Sequence, residues 1–352
     1  MSRPIVTTAT AAALAFGLAW TAPAAAAEYF KGKTITVIVP SGSGGTYHVY
    51  CQIVQRNIAR FIPGNPKTTI QNRPGAGGVR AANYMVNVAP KNGTVIAMIN
   101  PGSVMIPLLR KGQKAIRFDT RTMNWLGAAS VRTYTIGFWH KSPIKSIEDL
   151  KKRQAIMVTT GKAATSYLIP SFMNKTIGTK MKIITGYKGG GALNLAIERG
   201  EGEGRGNYYS GYTGVRPEWI RDGKITFVGW MGPPRPEVKN LPYLRDFMKS
   251  VFQREMYDLL DVSFQVGQAF YAPPGTPKAT VGILRKAFEA MVKDPKTIAS
   301  AKKRRVPMNS RTAAQIEAAI AKGFSASPKA VSGLAKMLGF DKARKKKKKK
   351  KS

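Results

Sequence analysis

Cysteine, histidine and acidic residues are all scarce in this chain. Cys51 stands alone among 352 residues, so no disulfide can close within it and stability has to come from a packed core. His48 and His140 are the only histidines, and acids are few, so neither a metal centre nor another cofactor is expected. No lysine follows Gly45 in the Gly-Lys-Ser/Thr order of a phosphate-binding loop, which disfavours nucleoside triphosphates. His48 and Cys51 lie three apart on a predicted helix and could meet as a nucleophile pair, but no acid stands near them in sequence to orient it. A small buried apolar role suits Cys51 better, and the chain is not expected to be an enzyme. Past the first 27 residues, no apolar run is long enough to cross a bilayer.

Negative charge is what the chain lacks most. It holds 57 Lys and Arg against 18 Asp and Glu, a formal net charge of +39. Residues 1–27 carry one charge, Arg3, then an apolar stretch broken by Thr21 and Pro23, then Ala24 to Ala27, which reads as a signal peptide rather than an anchor. Loss of Arg3 with the leader, and of Lys342, Arg344 and Lys345 to Lys351 with the tail, still leaves +29. The basic excess therefore belongs to the body of the protein, where it draws in anions of any kind. The lysine-rich end, 344–352, is expected to be disordered by self-repulsion. Two readings stay open for it: attachment to anionic lipid, or no role at all. About 325 residues remain after the leader, enough for two lobes.

What the chain has in plenty is a recurring construction of apolar strand, glycine-rich turn and helix start. Thr34 to Val39 runs into Ser41-Gly-Ser-Gly-Gly-Thr46; Ala155 to Thr159 runs into Thr160-Gly-Lys162; Lys182 to Thr185 runs into Lys188-Gly-Gly-Gly191. Glycine lets backbone N–H groups converge at a helix N-terminus, where the dipole and the free donors favour an anion. Taken one at a time, such turns can also serve geometry alone.

Strands alternate with helices along the chain, which predicts an α/β fold with mainly parallel sheets. Val49, Ile53, Val54, Ile58 and Phe61 recur at helical spacing behind Thr46 as N-cap. Asn72-Arg-Pro-Gly-Ala-Gly-Gly78 precedes a second helix, and Thr94 to Ile99 reads as a buried strand ending at Asn100-Pro-Gly-Ser103. Ser146 to Asp149 reads as a helix start, and Val262 to Tyr271 as a strand. Thr276 and Pro277 open a long amphipathic helix through Val292. Tyr187, Tyr208, Tyr209, Tyr212, Trp139 and Trp230 fall near predicted strand ends, available to a cleft or to the core. Arg73 could clamp a carboxylate, though a structural role in its own loop is favoured.

Five segments resemble, in order, those of the Bug-type extracytoplasmic receptors, the solute-binding subunits of tripartite tricarboxylate transporters. They are Val39 to Gly45, Asn72 to Gly78, Pro90 to Thr94, Tyr187 to Gly190 and Ala272 to Pro277, and the likeness runs from about 29 to 325. The resemblance implies a two-lobe periplasmic binding protein-like fold (type II-like) closing on a ligand cleft. Lobe one would be 28–131 plus 233–343, and lobe two 132–232. It implies that Ser41, Gly42, Ser43, Gly44, Gly45 and Thr46 hold one ligand carboxylate. Facing them would be Thr159, Thr160, Gly161 and Thr165, with Gly189 and Gly190, while Asn100 flanks the cleft. The implied role is a monomeric periplasmic receptor that delivers a small organic acid to membrane permease subunits. Nucleic acid is not an expected partner; a ligand sensor and a basic module for anionic polymers or surfaces are the alternatives.

Two positions depart from the family pattern. His48 stands where an acid is usual, and Tyr167 where a histidine is usual. Loss of an acid beside the pocket removes a partner for a ligand ammonium, so plain carboxylates or aromatic acids are expected over amino acids, with His48 at the ligand.

Overall fold

The computed structural model describes residues 28–341. The expected leader, 1–27, and the lysine-rich end, 344–352, lie outside them. Eleven strands in this range form two sheets. The first has the order β11-β4-β10-β3-β1-β2, with β1 Thr34–Val39, β2 Lys67–Asn72, β3 Val95–Met98, β4 Asn124–Ala128, β10 Ala269–Ala272 and β11 Arg311–Thr312. The second has the order β7-β6-β8-β5-β9, with β5 Tyr134–Trp139, β6 Ala155–Thr159, β7 Met181–Thr185, β8 Gly204–Tyr208 and β9 Ile225–Met231.

Each sheet is built around one parallel three-strand unit. β1 lies between β2 and β3, and β6 lies between β7 and β8, all in parallel register. Helices cross over between these strands: α1 Thr46–Asn57 and α2 Val79–Asn87 on the first sheet, then α4 Thr165–Thr176 and α5 Gly190–Glu198 on the second. The short α3 Ile147–Lys152 precedes β6. β1 suits its central place because Ile35, Val37, Ile38 and Val39 are all fully buried and β-branched.

The expectation of mainly parallel sheets needs correcting. β10 pairs antiparallel with β3 and β4, β11 with β4, and β5 with β8 and β9. Apart from β8 and β11, these strands lie where the chain passes between the sheets. It leaves the first sheet at β4, enters the second at β5, and returns beyond β9 to lay down β10. A strand arriving from the far sheet comes in against the direction of its neighbours.

Three other expectations shift. Val262 to Tyr271 is not one strand: α6 Val251–Val266 runs through its first half, Gly267 turns the chain at φ +59°, and only Ala269–Ala272 is strand. The apolar run belongs to the buried face of a helix carrying Leu259, Leu260 and Phe264, which period alone does not separate from a strand. Thr46 is the first residue of α1 rather than its cap, which is Gly45. The long helix α7 is Lys278–Lys293, one residue later than expected, because the Thr276 hydroxyl turns back to the Pro273 carbonyl at 2.8 Å. Ser146 and Asp149 do form a reciprocal capping box at the start of α3. Helices α8 Pro295–Lys303, α9 Ala313–Phe324 and α10 Pro328–Met337 complete the first lobe.

Candidate functional site

Helix starts show a division of labour. Among the described helices of eight residues or more, α6, α8, α9 and α10 are capped by the side chains of Ser250, Asp294, Thr312 and Ser327. Helices α1, α2, α4 and α5 have no side-chain cap and no acid in the first turn; their cap positions are Gly45, Gly78, Ala164 and Gly189. These four follow β1, β2, β6 and β7, so their N-termini stand at the carboxyl ends of the parallel strands, two from each lobe. They meet around one cavity. Among the described helices of that length α7 also lacks a side-chain cap, and its start does not reach that cavity.

The cavity has a volume of about 50 Å³ and lies between the lobes. The first lobe supplies Pro40, Ser41, Gly45 to Tyr47, Gly75, Gly77, Gly78 and Asn100. The second supplies Thr160, Ala164 to Ser166, Lys188, Gly190, Leu193 and Arg205 to Tyr208. None of these residues is acidic. At roughly 10–15 Å³ for one water, the space holds only a few, so the two lobes are closed on one another.

Closure is made by backbone meeting backbone. The Gly42 amide donates to the Lys188 carbonyl at 2.7 Å. A Cβ on Gly45 would lie 3.0 Å from the Gly190 nitrogen, so the two chains touch there with no room for a side chain. On the other flank, a Cβ on Gly102 would overlap the Ala163 carbonyl and the Thr165 amide of the opposite lobe.

Of the residues expected at the ligand, Ser41, Gly45, Thr46, Asn100, Thr160, Thr165 and Gly190 line the cavity. Gly42, Ser43, Gly44, Thr159, Gly161 and Gly189 do not. Gly42 and Gly189 sit in the seam between the lobes, and Gly161 packs on Ala76 and Gly77. Thr159 is fully buried with its hydroxyl 2.5 Å from that of Ser166. His48 is also set back. Its ring lies 3.1 Å from the Gln52 amide and 3.2 Å from the Asn72 amide, and burial, with help from Arg304, lowers its pKa below the usual histidine range. Asn72 also donates to the Ser41 carbonyl at 2.8 Å, so this pair braces the first glycine loop from behind. Cys51 is fully buried, and burial pushes its thiol pKa well up. Arg73 lays its guanidinium 3.5 Å over the Tyr84 ring, a structural contact. Tyr167 packs against the main core.

Among the aromatics at strand ends, only Tyr208 reaches the cavity wall. Trp139, Tyr187 and Tyr212 belong to or pack on one core cluster of the second lobe, and Tyr209 and Trp230 to another. The residues that sequence reasoning passed over are Tyr47, Asn207 and above all Arg205. The sole signal for Arg205 is its setting, a single arginine between two glycines in Gly204-Arg-Gly206. Among the described residues no group of three or more His, Cys, Asp and Glu stands close enough to hold a metal, and no helix is long and apolar enough to cross a membrane.

Two closing lobes with a shared cleft at the ends of their parallel strands define a solute-binding protein of the periplasmic type. The chain belongs to the tripartite tricarboxylate transporter receptor family, whose model matches residues 52–332. The periplasmic binding protein BugD is similar in structure, with 20% identity, 88% of this chain and 98% of that one covered, and a TM-score of 0.70. MatC from Rhodopseudomonas palustris, solved with bound malate, has 16% identity, covers 86% and 99%, and gives a TM-score of 0.67. A second R. palustris protein, solved with adipate, has 17% identity, covers 87% and 97%, and gives 0.63. In sequence, a UPF0065 protein of Bordetella bronchiseptica is 25% identical over 169 residues, 47% of this chain. The chain spans about half the length of that curated relative.

Proposed function

We propose that this protein is an extracytoplasmic receptor that captures a small organic carboxylate between lobe one, 28–131 plus 233–343, and lobe two, 132–232, and hands it to a membrane permease. The observation that carries the reading is the meeting of four uncapped helix N-termini, two per lobe, around one cavity without an acid in its wall. Each leaves backbone N–H groups unpaid by any side chain and adds positive potential where a carboxylate would sit. Ser41, Gly45, Thr46, Thr160, Thr165 and Gly190 are the contacts, and the set-back glycines let the lobes approach. Capture is conformational rather than chemical: one lobe takes the anion, the other completes the shell, and closure excludes water. The relatives solved with malate and adipate support a carboxylate as cargo.

Mass spectrometry of small molecules retained by gently purified protein tests this directly, followed by calorimetry with each acid found. Retention of a carboxylate that binds with micromolar or better affinity is the expected result. Retention of a cationic or neutral solute alone would overturn it.

A further inference from the structure

Helix termini cannot account for tight binding alone. Each contributes typically about 0.3–1 kcal/mol, and micromolar affinity needs about 8 kcal/mol. Arg205 is the strongest unused feature of the cavity wall. It is 6% exposed, and none of the ion pairs among the described residues includes it. Its Nη1 donates to the Gly190 carbonyl at 2.9 Å and to Asn194 Oδ1 at 2.8 Å, which fixes one end of the guanidinium against α5. Its Nε has no partner, and Nη2 makes no hydrogen bond to a described residue. The Tyr208 hydroxyl, on the same wall and 3% exposed, is likewise buried without a partner. Behind that ring lies a second buried arginine, Arg132, 4.2 Å from its centroid.

A buried guanidinium without a counter-charge is costly, and a polar group left unpaired in the interior is costly too. An acidic group brought in from outside relieves the guanidinium, and one that also reaches the Tyr208 hydroxyl satisfies that donor too. The Nε–Nη2 edge offers two parallel N–H donors, which match the two oxygens of a planar carboxylate. We infer that Arg205, with the Tyr208 hydroxyl, forms a second anion-binding subsite, so the cargo is a dianion: one carboxylate at the helix termini, the other side-on at Arg205. This rests on the carboxylate reading above and adds the class of cargo and the residue that selects it.

The test is calorimetry on the full chain with succinate, malate, glutarate and adipate, each beside its monoamide. Wild type should bind its best diacid about 10- to 100-fold more tightly than the matching monoamide, as two charge-assisted hydrogen bonds imply. Arg205→Met should bring that ratio to within about threefold, chiefly by loss of diacid affinity. Tyr208→Phe should weaken diacid binding several-fold with little change in melting temperature, since the hydroxyl makes no well-formed hydrogen bond. This variant and the wild-type ratio decide the matter even if Arg205→Met folds poorly. Equal binding of diacid and monoamide by wild type, or an unchanged ratio in a folded Arg205→Met, would overturn the subsite and leave the carboxylate reading standing. Failure of wild type to bind any acid in the series would overturn both.

Discussion

The amide of Gly42 donates a 2.7 Å hydrogen bond to the carbonyl of Lys188 across the cleft, joining a loop that follows β1 to a loop that follows β7. One main-chain bond thus ties the two lobes in the closed state. Glycines at 42, 45, 189, 190 and 191 surround it, so the two chains approach to contact distance.

Gly102→Ala should hold the lobes apart. Gly102 does not need a positive φ, so alanine fits its own turn, but the added methyl overlaps the backbone of Ala163 and Thr165 in the opposite lobe. Overpacking of this kind costs about 1–3 kcal/mol, which predicts a loss of roughly 5- to 150-fold in ligand affinity. Small-angle scattering with saturating ligand should show a larger radius of gyration than wild type under the same conditions. A wild-type scattering curve and wild-type affinity would contradict the closure described here.

Asn72→Asp should loosen the first glycine loop without unfolding the protein. The variant replaces the amide that donates to the Ser41 carbonyl with a group that repels it. Loss of one such bond is worth about 1–2 kcal/mol, so affinity should fall about 5- to 30-fold. Circular dichroism should be unchanged while calorimetry records the loss. Equal affinities would show that the brace does not matter.

Aspartate should bind more weakly than succinate, by about tenfold or more. The ammonium group would enter a wall that holds Arg205 and Lys188 and no carboxylate to receive it. A thermal-shift comparison at equal concentrations is sufficient. Greater stabilisation by aspartate would refute the charge reading of the wall.

Asp261→Asn should stabilise the protein at neutral pH and less so in acid. Burial is the main cause that raises the Asp261 pKa above its usual value; Asp258 adds to it, while Gln265, Arg245 and Lys322 oppose it. The fold therefore prefers the neutral carboxyl. That preference contributes fully below the ordinary aspartate range and is lost as pH rises through the folded-state pKa. Urea unfolding of both proteins at pH 4 and pH 7 should show a gap that widens with pH. A gap independent of pH would exclude the carboxyl as its source.

Much of this architecture was legible because strands β1, β6 and β7 are short apolar runs followed by glycine-containing turns, a pattern that marks where a strand stops and the chain turns toward a helix. The capping box at Ser146 and Asp149 was equally plain. β8 was not, because Gly204-Arg-Gly-Asn-Tyr208 has the composition of a loop. It is a strand because its backbone is held in the ladder with β5, and glycine is needed at 204, where a Cβ would meet the Gly137 carbonyl and Phe138. The arginine that this strand buries was hidden for the same reason. The turns of the site could be read from sequence; which residues face the cavity depended on the helix starts. His48 points back toward Asn72, although it lies only two residues past Thr46.

Because the lobes meet through main chain at both flanks of the cavity, the shape of the clasp does not depend on which side chains surround it. Residues such as Tyr47 and Tyr208, which take no part in those main-chain contacts, can therefore be exchanged without redrawing the closure. A lineage built on this plan is free to change its cargo one wall residue at a time while the act of shutting stays the same.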